Sequence, residues 1–338
     1  MAKKERTDPI EEAADSSVDL YDVATWEERT SLDGLAVALY RLLSGTARVV
    51  IVGLALVLLL AIGGLSAVTD PAIGALTLIS AVPALALAAY VYRSDITTSE
   101  PVWLLGATFL LGVLTANFAA VLNTLTQPYF QALGFLGTVL FFFFIVGPVE
   151  ETVKLLAVRL YAYTHDSFDS VLDGAVYGAM AGLGFAFIEN ALYISRGIGG
   201  TELDLGLGII GIGGGITFTR ALAGPGHVIY SAFAGYYLGL AKFNPDNRGP
   251  IVVKGLIIAS LIHATYNSTV GIGSAVLNSV VGLPSLASSF VYIALFDGLF
   301  ALLLLRKINR YRTAYRSAHD SESSGGDTAR SEMTEFDA

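Results

Sequence analysis

The chain has 338 residues, of which 54% are hydrophobic and only 14% are charged. A soluble domain of this length would carry about 25% charged residues, and the hydrophobic residues here stand in blocks, so we expect a polytopic membrane protein. The formal net charge is −9 and cysteine is absent, which excludes disulfides, thiolate metal sites and a cysteine nucleophile. No basic patch with interleaved aromatic residues occurs in the sequence, which argues against a nucleic-acid partner.

The N-terminal region is acidic, because residues 1–46 carry ten Asp and Glu against five Lys and Arg. Within this region, residues 25–45 fit an amphipathic helix lying at the membrane interface. We interpret 1–46 as a cytoplasmic tail and 47–305 as one membrane-embedded domain with its motifs in 132–275. Residues 306–338 are rich in Ser, Gly and acidic side chains, which predicts a disordered cytoplasmic tail.

The apolar blocks predict an all-α fold with about eight transmembrane helices, because a helix needs about 20 apolar residues to cross a bilayer. The predicted spans are 47–68, 71–92, 102–123, 132–160, 171–195, 226–243, 255–275 and 286–305. A further apolar block, 205–222, contains six glycines and Arg220. We expect this Gly-rich block to be a re-entrant or interfacial segment.

The distribution of basic residues predicts the orientation of these spans in the plasma membrane. With eight spans, the connections on the same side as the N-terminus hold Arg93, Arg159, Lys242, Arg248 and Lys254, and the last span is followed by Arg306, Lys307, Arg310, Arg312 and Arg316. The positive-inside rule then places both termini in the cytoplasm. A crossing at 205–222 would instead put the three basic residues of 242–254 outside.

Charged and polar side chains interrupt four of the predicted spans, where each charge costs on the order of 2.5–3.5 kcal/mol on insertion scales. The candidate catalytic residues are Glu150, Glu151 and Lys154 in the fourth span, Glu189 and Asn190 in the fifth, His227 in the sixth, and His263 and Asn267 in the seventh. The last two are spaced i, i+4 and so share one helix face. A common site would compensate for the cost of placing these groups in lipid.

Counting residues from the predicted turns places the acids and histidines at a similar depth. Glu150 and Glu189 each lie about 15 residues, or roughly 22 Å, from the tip of an ideal helix hairpin. His227 and His263 lie about 21 and 15 residues from the turn near residue 248 by the same count. All four therefore fall within about 9 Å of one depth, toward the outer leaflet.

Each of these features also has a purely structural interpretation. Glu150 and Glu151 could pair with Lys154 and Arg159 as a charge cluster at a helix end. The His–Asn pair of the seventh span could join two helices by hydrogen bonds. Three carboxylates and two imidazoles at one depth exceed what packing needs, so we favour one buried polar site.

The residue types at this depth predict hydrolytic chemistry. Two histidines and a carboxylate form a common catalytic zinc set with an open coordination position. On this basis we take His227, His263 and Glu189 as zinc ligands and Glu150 as the general base. In a metal-free alternative, a Glu–His pair activates the water and Asn267 donates a hydrogen bond to the oxyanion. Both schemes suit the hydrolysis of a peptide bond.

These motifs resemble the PrsW family of intramembrane proteases. The elements are EETVK (150–154), GFAFIEN (184–190), His227 and HATYN (263–267). They are also distantly similar to the CaaX prenyl protease and bacteriocin-processing enzymes, which have a histidine where Glu189 stands here. This difference favours PrsW.

The resemblance covers roughly residues 100–275 and implies an intramembrane endopeptidase. The family is classed with metallopeptidases, which implies a metalloprotease. Some members release a sigma factor by cutting a membrane-bound anti-sigma factor from the outer side. The implied partners are therefore the lipid bilayer and a membrane-anchored protein substrate, of which a single-span anti-sigma-factor-like protein is one candidate.

Two other classes of function are compatible with buried polar residues. A proton- or ion-coupled transporter uses buried Glu, His and Lys as a relay, but the sequence shows no inverted repeat of the kind found in many transporters. A non-catalytic membrane scaffold would not need every motif residue. The sequence therefore favours the protease.

Overall fold

The computed structural model describes Asp19, Tyr21 and residues 27–96, 99–198 and 214–324. This part of the chain consists of helices joined by short connections, which confirms the predicted all-α polytopic fold. Contacts divide the chain into two compact units, Met1–Gly53 and Leu54–Ala338. The candidate catalytic residues all belong to the second unit.

We number the α-helices in chain order. They are α1 (Ser31–Ala61), α2 (Gly64–Thr69), α3 (Pro71–Arg93), α4 (Val102–Gln131), α5 (Gly134–Phe141), α6 (Gly147–Leu160), α7 (Val171–Ile198), α8 (Gly214–Lys242), α9 (Arg248–Val281) and α10 (Ser285–Ser324). A π-helical segment, Phe142–Val146, joins α5 to α6 without a break, so the helical run extends from 134 to 160.

By length and composition, six helices of the described chain are candidates for crossing a membrane. They are α1, α3, α4, α7, α9 extended from Pro245, and α10 as far as Ser317. The fourth and sixth predicted spans correspond to the run 134–160 and to α8, which are helical but not among these six. The run 134–160 contains four charged residues, and α8 contains Arg220 and several glycines. These residues lower the mean hydropathy of both helices.

The N-terminal unit contains the start of α1, which is closed by a capping box. Thr30 precedes the helix, and its backbone N–H and hydroxyl donate to Asp33 Oδ2 at 2.6 and 2.7 Å. The Asp33 N–H donates back to Thr30 Oγ1 at 3.2 Å, so two free donors at the helix start are satisfied reciprocally. Because α1 then runs unbroken to Ala61, one helix includes the amphipathic segment and residues 47–61 of the first predicted span, whose remainder falls in the turn and α2.

Glycines allow α7 and α8 to pack backbone against backbone. A Cβ added at Gly174, Gly178 or Gly182 would lie only 2.2–2.4 Å from a carbonyl oxygen of α8. This small-residue spacing of four is a common device for close helix packing in membranes. The carbonyl opposite Gly182 is that of His227, so the same contact fixes the height of this histidine beside α7.

The π-helical segment and Gly147 position the acidic pair of α6. A Cβ at Gly147 would lie 2.7 Å from the carbonyl oxygen of Ser260, so glycine lets the start of α6 approach α9 closely. Short π-helical segments shift the face that the following residues present and are frequent at functional sites. Glu150 and Glu151 follow within one turn, directly opposite the helix that carries His263.

Two of the predicted segments are only partly described. Of the Gly-rich block, residues 205–213 lie outside the described chain, and 214–222 form the first turns of α8 rather than a separate segment. At the C-terminal end, α10 continues to Ser324, so helix extends past residue 305, where we expected the tail to begin. Residues 325–338 lie outside the described chain.

Candidate active site

A cavity of about 420 Å³ opens between α4, α6, α7, α8 and α9. Of the candidate catalytic residues, those that line it are Glu150, Glu189, His227, His263 and Asn267. The other three, Glu151, Lys154 and Asn190, are fully buried and contact residues of the cavity wall. The structure therefore brings together, around one cavity, the residues that the sequence placed at one depth.

Glu150 has one fixed and one free carboxylate oxygen. Its Oε1 accepts a hydrogen bond from Asn123 Nδ2 at 3.0 Å. Its Oε2 receives no hydrogen bond from the described residues and lies 3.7 Å from His263 Nε2. A buried carboxylate oxygen without a donor is costly, and here it faces a cavity where a water proton or a cation can approach.

His263 is oriented by Glu151. Its Nδ1 lies 2.8 Å from Glu151 Oε1, so the hydrogen-bond network assigns the ring proton to Nδ1 and leaves Nε2 unprotonated on the side of Glu150. The ring also stacks on Tyr230, with 5.1 Å between centroids. The buried carboxylate thus fixes both the tautomer and the direction of the histidine.

Lys154 supplies positive charge behind the cavity wall. Its Nζ lies 2.7 Å from Glu151 Oε1, 4.0 Å from Glu150 Oε2 and 2.9 Å from His227 Nδ1. The ammonium also stands 4.3 Å from the centre of the Phe185 ring, where a cation is attracted to the aromatic face. Lys154 therefore compensates the acidic pair that precedes it by one helical turn.

Glu189 is held by a second cation. It accepts from Arg220, and its Oε2 lies 3.0 Å from His227 Nε2. Arg220 also donates through Nε to Asn190 Oδ1 at 2.8 Å, and Asn190 Nδ2 donates to Ser80 Oγ at 2.9 Å. The Asn190 amide is therefore occupied by hydrogen bonds to Arg220 and to Ser80 of α3.

Sequence reasoning missed several residues of this site. Asn123, which donates to Glu150, is a polar residue within an apolar helix, the same signal that identified Asn190. For Asp297 in the last span the sequence offered no partner, and in the structure it accepts from the Tyr230 hydroxyl at 3.4 Å. Arg220 was noted only for its charge in the Gly-rich block. Its partner could not be read from the sequence, because that depends on how α8 begins.

The residues fit a metal ion in a set that differs from the predicted one. Ligand atoms of Glu150, His227 and His263 lie within 4.8 Å of one another. The predicted third ligand, Glu189, is ion-paired with Arg220 instead. The orphaned Oε2 of Glu150 suits a cation, and each histidine has a carboxylate at its other side, as metal-binding histidines usually do.

One contact opposes metal binding at this set. His227 Nε2 faces Glu189, so the nitrogen left for a metal is Nδ1, which contacts Lys154 at 2.9 Å. His227 can therefore join a metal set only if Lys154 gives up that contact. The donor types are nevertheless those of zinc sites, two imidazoles and one carboxylate.

Comparisons with known proteins agree on one family. A family model described as PrsW family intramembrane metalloprotease matches residues 100–299. The chain is 33% identical to Protease PrsW of Bacillus subtilis over 189 residues, covering 55% of this chain and 78% of the relative. It is 32% identical to Protease PrsW of Halalkalibacterium halodurans over 187 residues, covering 55% and 79%.

A more distant relative, Protease PrsW of Clostridioides difficile, is 27% identical over 195 residues, covering 57% of this chain and 77% of the relative. No solved structure matches. The matched region 100–299 contains all the candidate catalytic residues. This chain belongs to the PrsW family of intramembrane proteases.

Proposed function

We propose that this protein is an endopeptidase that hydrolyses a peptide bond of membrane-anchored proteins with a water activated at Glu150. The observation that carries the proposal is the free Oε2 of Glu150, which faces a cavity lined by two histidines. Membership of a protease family already indicates a protein substrate within the membrane. The transporter and scaffold interpretations lose their support for the same reason.

Glu150, His227 and His263 would hold the metal ion if one is bound, and we propose Zn²⁺ for this set of donors. A bound zinc ion lowers the pKa of a coordinated water and polarises the substrate carbonyl. Glu189 then belongs to the outer shell of the site, where it fixes the ring of His227.

Glu150 carries the proton transfers of the reaction, and Glu151 keeps His263 in the required tautomer. Without a bound metal ion, Glu150 Oε2 takes a proton from the attacking water, whose oxygen forms a bond to the carbonyl carbon; with a metal bound, this oxygen would be its ligand instead. When the C–N bond breaks, Glu150 returns this proton to the leaving nitrogen, so that the carboxylate is regenerated. Glu151 keeps the proton of His263 on Nδ1 throughout, which leaves Nε2 directed at the reacting water.

Asn267 is placed to stabilise the oxyanion. It lies one helical turn after His263, lines the cavity and makes no hydrogen bond within the described part of the chain. An uncommitted amide donor can bind the developing negative charge without introducing a charge of its own. Asn190 cannot take this role in the same way, because its amide is occupied by Arg220 and Ser80.

The substrate we propose is a single-span membrane protein such as an anti-sigma factor. Apolar side chains of the cavity wall, Phe141, Phe142, Val146 and Val270, support an apolar segment as the ligand. We further propose that the activity resides in 47–305, in the plasma membrane, with both termini in the cytoplasm. The basic residues at 242–254 and after 305 support this orientation.

The test is cleavage of a panel of single-span proteins by the purified protein in proteoliposomes, with metal content measured by mass spectrometry. Glu150→Gln should abolish cleavage, whereas Asp246→Asn, at an exposed carboxylate of the α8–α9 connection, should keep it. Wild-type cleavage by Glu150→Gln would refute the proposal. Activity that survives chelation, with no co-purifying metal, would leave the Glu150 mechanism in place without zinc.

A further inference from the structure

A second cluster of acidic side chains lies at the opposite end of α7 from the active site. It consists of Asp95 in the connection between α3 and α4, Glu100 just before α4, and Asp173 in the first turn of α7. Asp173 and Glu189 are 16 residues apart on α7, or about 24 Å along a helix. This acidic cluster is therefore separate from the Glu150 cavity.

The three carboxylates are close together and largely removed from water. One oxygen from each lies within 4.8 Å of the others. Asp173 is fully buried and Glu100 is 2% exposed, while Asp95 is half-buried and gives a route from solvent. Acidic groups at this spacing repel one another strongly where water is excluded.

Glu100 is the member of the cluster whose carboxylate has no hydrogen-bond donor in the described chain, for either of its oxygens. Burial and the neighbouring carboxylates of Asp95 and Asp173 raise the pKa of Glu100 to about 9. A buried carboxylate directed at two others, without a donor, calls for a cation or a proton.

Asp173 has a clear structural role that still leaves it able to bind a ligand. It accepts from the backbone N–H groups of Asp169 and Ser170 at 2.6 and 2.8 Å, and from the Ser170 hydroxyl. These contacts cap α7 and fix the carboxylate in place. Each carboxylate oxygen has further lone-pair capacity for a metal.

Lys242 interacts electrostatically with Asp173 but directs its hydrogen bonds elsewhere. Lys242 Nζ donates to the carbonyl oxygens of Tyr163 and Phe168 at 3.0 and 2.6 Å. It also stands 4.4 Å from the centre of the Phe168 ring. Lys242 therefore donates its hydrogen bonds to backbone carbonyls rather than to these carboxylates.

We propose that Asp95, Glu100 and Asp173 bind one hard divalent cation, Mg²⁺ or Ca²⁺. Carboxylate oxygens are the ligands that both ions prefer, and such sites contain no histidine, unlike the cavity above. The bound cation ties the connection between α3 and α4 to the first turn of α7, the helix that carries Glu189. The inference does not depend on the proposed protease mechanism.

The test is a titration of the full-length protein in detergent, stripped of divalent ions, with MgCl₂ or CaCl₂. Binding heat should be detected for at least one of the two ions, and the thermal midpoint should rise by a few degrees at about 100 times the Kd. Glu100→Gln should weaken this binding at least about tenfold, because ligand charge sets affinity in oxygen sites. Binding of either ion that Glu100→Gln weakens in this way supports the proposal.

Matched variants separate this cluster from other acidic regions of the chain. Asp246→Asn removes an exposed carboxylate and should keep the response. Asp95→Asn, at the half-buried position, serves if Glu100→Gln does not fold. Two outcomes would overturn the proposal. One is an unchanged thermal midpoint and no binding heat with either ion, which would mean that a proton keeps Glu100 neutral. The other is an equal response in wild type and Glu100→Gln.

Discussion

Replacing Lys154 by methionine should lower the stability of the fold, because it removes the cation that is buried behind the active-site cavity. Methionine keeps the unbranched side chain but removes the ammonium, which is 1% exposed and lies 2.7 Å from Glu151 Oε1 and 4.0 Å from Glu150 Oε2. The variant leaves two buried carboxylates without their shared cation. His227 Nδ1 loses its contact with Lys154 at the same time.

The size of the effect follows from the burial of both partners. Glu151 and Lys154 have almost no exposed surface, and removing one partner of a buried ion pair costs about 3–5 kcal/mol. Since about 1.4 kcal/mol corresponds to a factor of ten, the unfolding equilibrium should shift roughly 10²- to 10⁴-fold. Proteolysis should fall as well, because Glu151 orients His263.

Reversible unfolding in mixed micelles measures this change. Lys254→Met is the matched control, because Lys254 is exposed on α9 and should change stability by less than about 0.5 kcal/mol. Lys154→Met combined with Glu151→Gln should recover much of the loss, since it leaves no unpaired charge at 151. The reasoning fails if Lys154→Met matches the control and the double variant is no more stable than the single one.

The remaining predictions concern the oxyanion donor, the ligand set and the topology. Asn267→Ala should lower kcat by about 10²–10³ with metal content unchanged, whereas Asn278→Ala, at an exposed amide later on α9, should not; a wild-type rate for Asn267→Ala would make that residue a packing contact. Glu150→Gln should reduce bound zinc far more than Glu189→Gln, and the reverse order would restore the ligand set predicted from sequence. A cysteine at Asn247, in a chain that has no other cysteine, should resist an impermeant thiol reagent added outside cells, and strong labelling would indicate nine spans.

The convergence of the site residues could be predicted from the sequence, because it depends only on counting residues along helices. A charged residue within an apolar helix has few places to go other than a shared polar interior. The count that placed Glu150, Glu189, His227 and His263 at one level holds in the structure, where all four line one cavity.

The direction of each side chain around its helix could not be predicted in this way. Glu150 and Glu151 are adjacent in sequence, yet one lines the cavity and the other lies behind it against Lys154. The π-helical segment changes the direction in which the following side chains point, and the spacing of apolar residues does not predict such a segment. Asn190 follows Glu189 but turns toward Ser80 on α3, which is a consequence of packing between distant helices.

Which carboxylate, Glu150 or Glu189, is free to hold a metal ion could not be read from the sequence for a further reason. Arg220 lies in a Gly-rich block that the sequence could place in several ways, and the arginine decides which carboxylate is neutralised. In the structure it pairs with Glu189. A ligand assignment that depends on a long-range ion pair needs the fold.

The distribution of charge in the site supports our proposal that Glu150 is its reactive group. With neutral histidines, three carboxylates face two cations: Glu189 is matched by Arg220, and Glu151 by Lys154. Glu150 has only an amide donor on one oxygen and the Lys154 ammonium at 4.0 Å from the other. The one negative charge left over therefore resides on the oxygen that faces the cavity, where a water proton or a zinc ion can neutralise it.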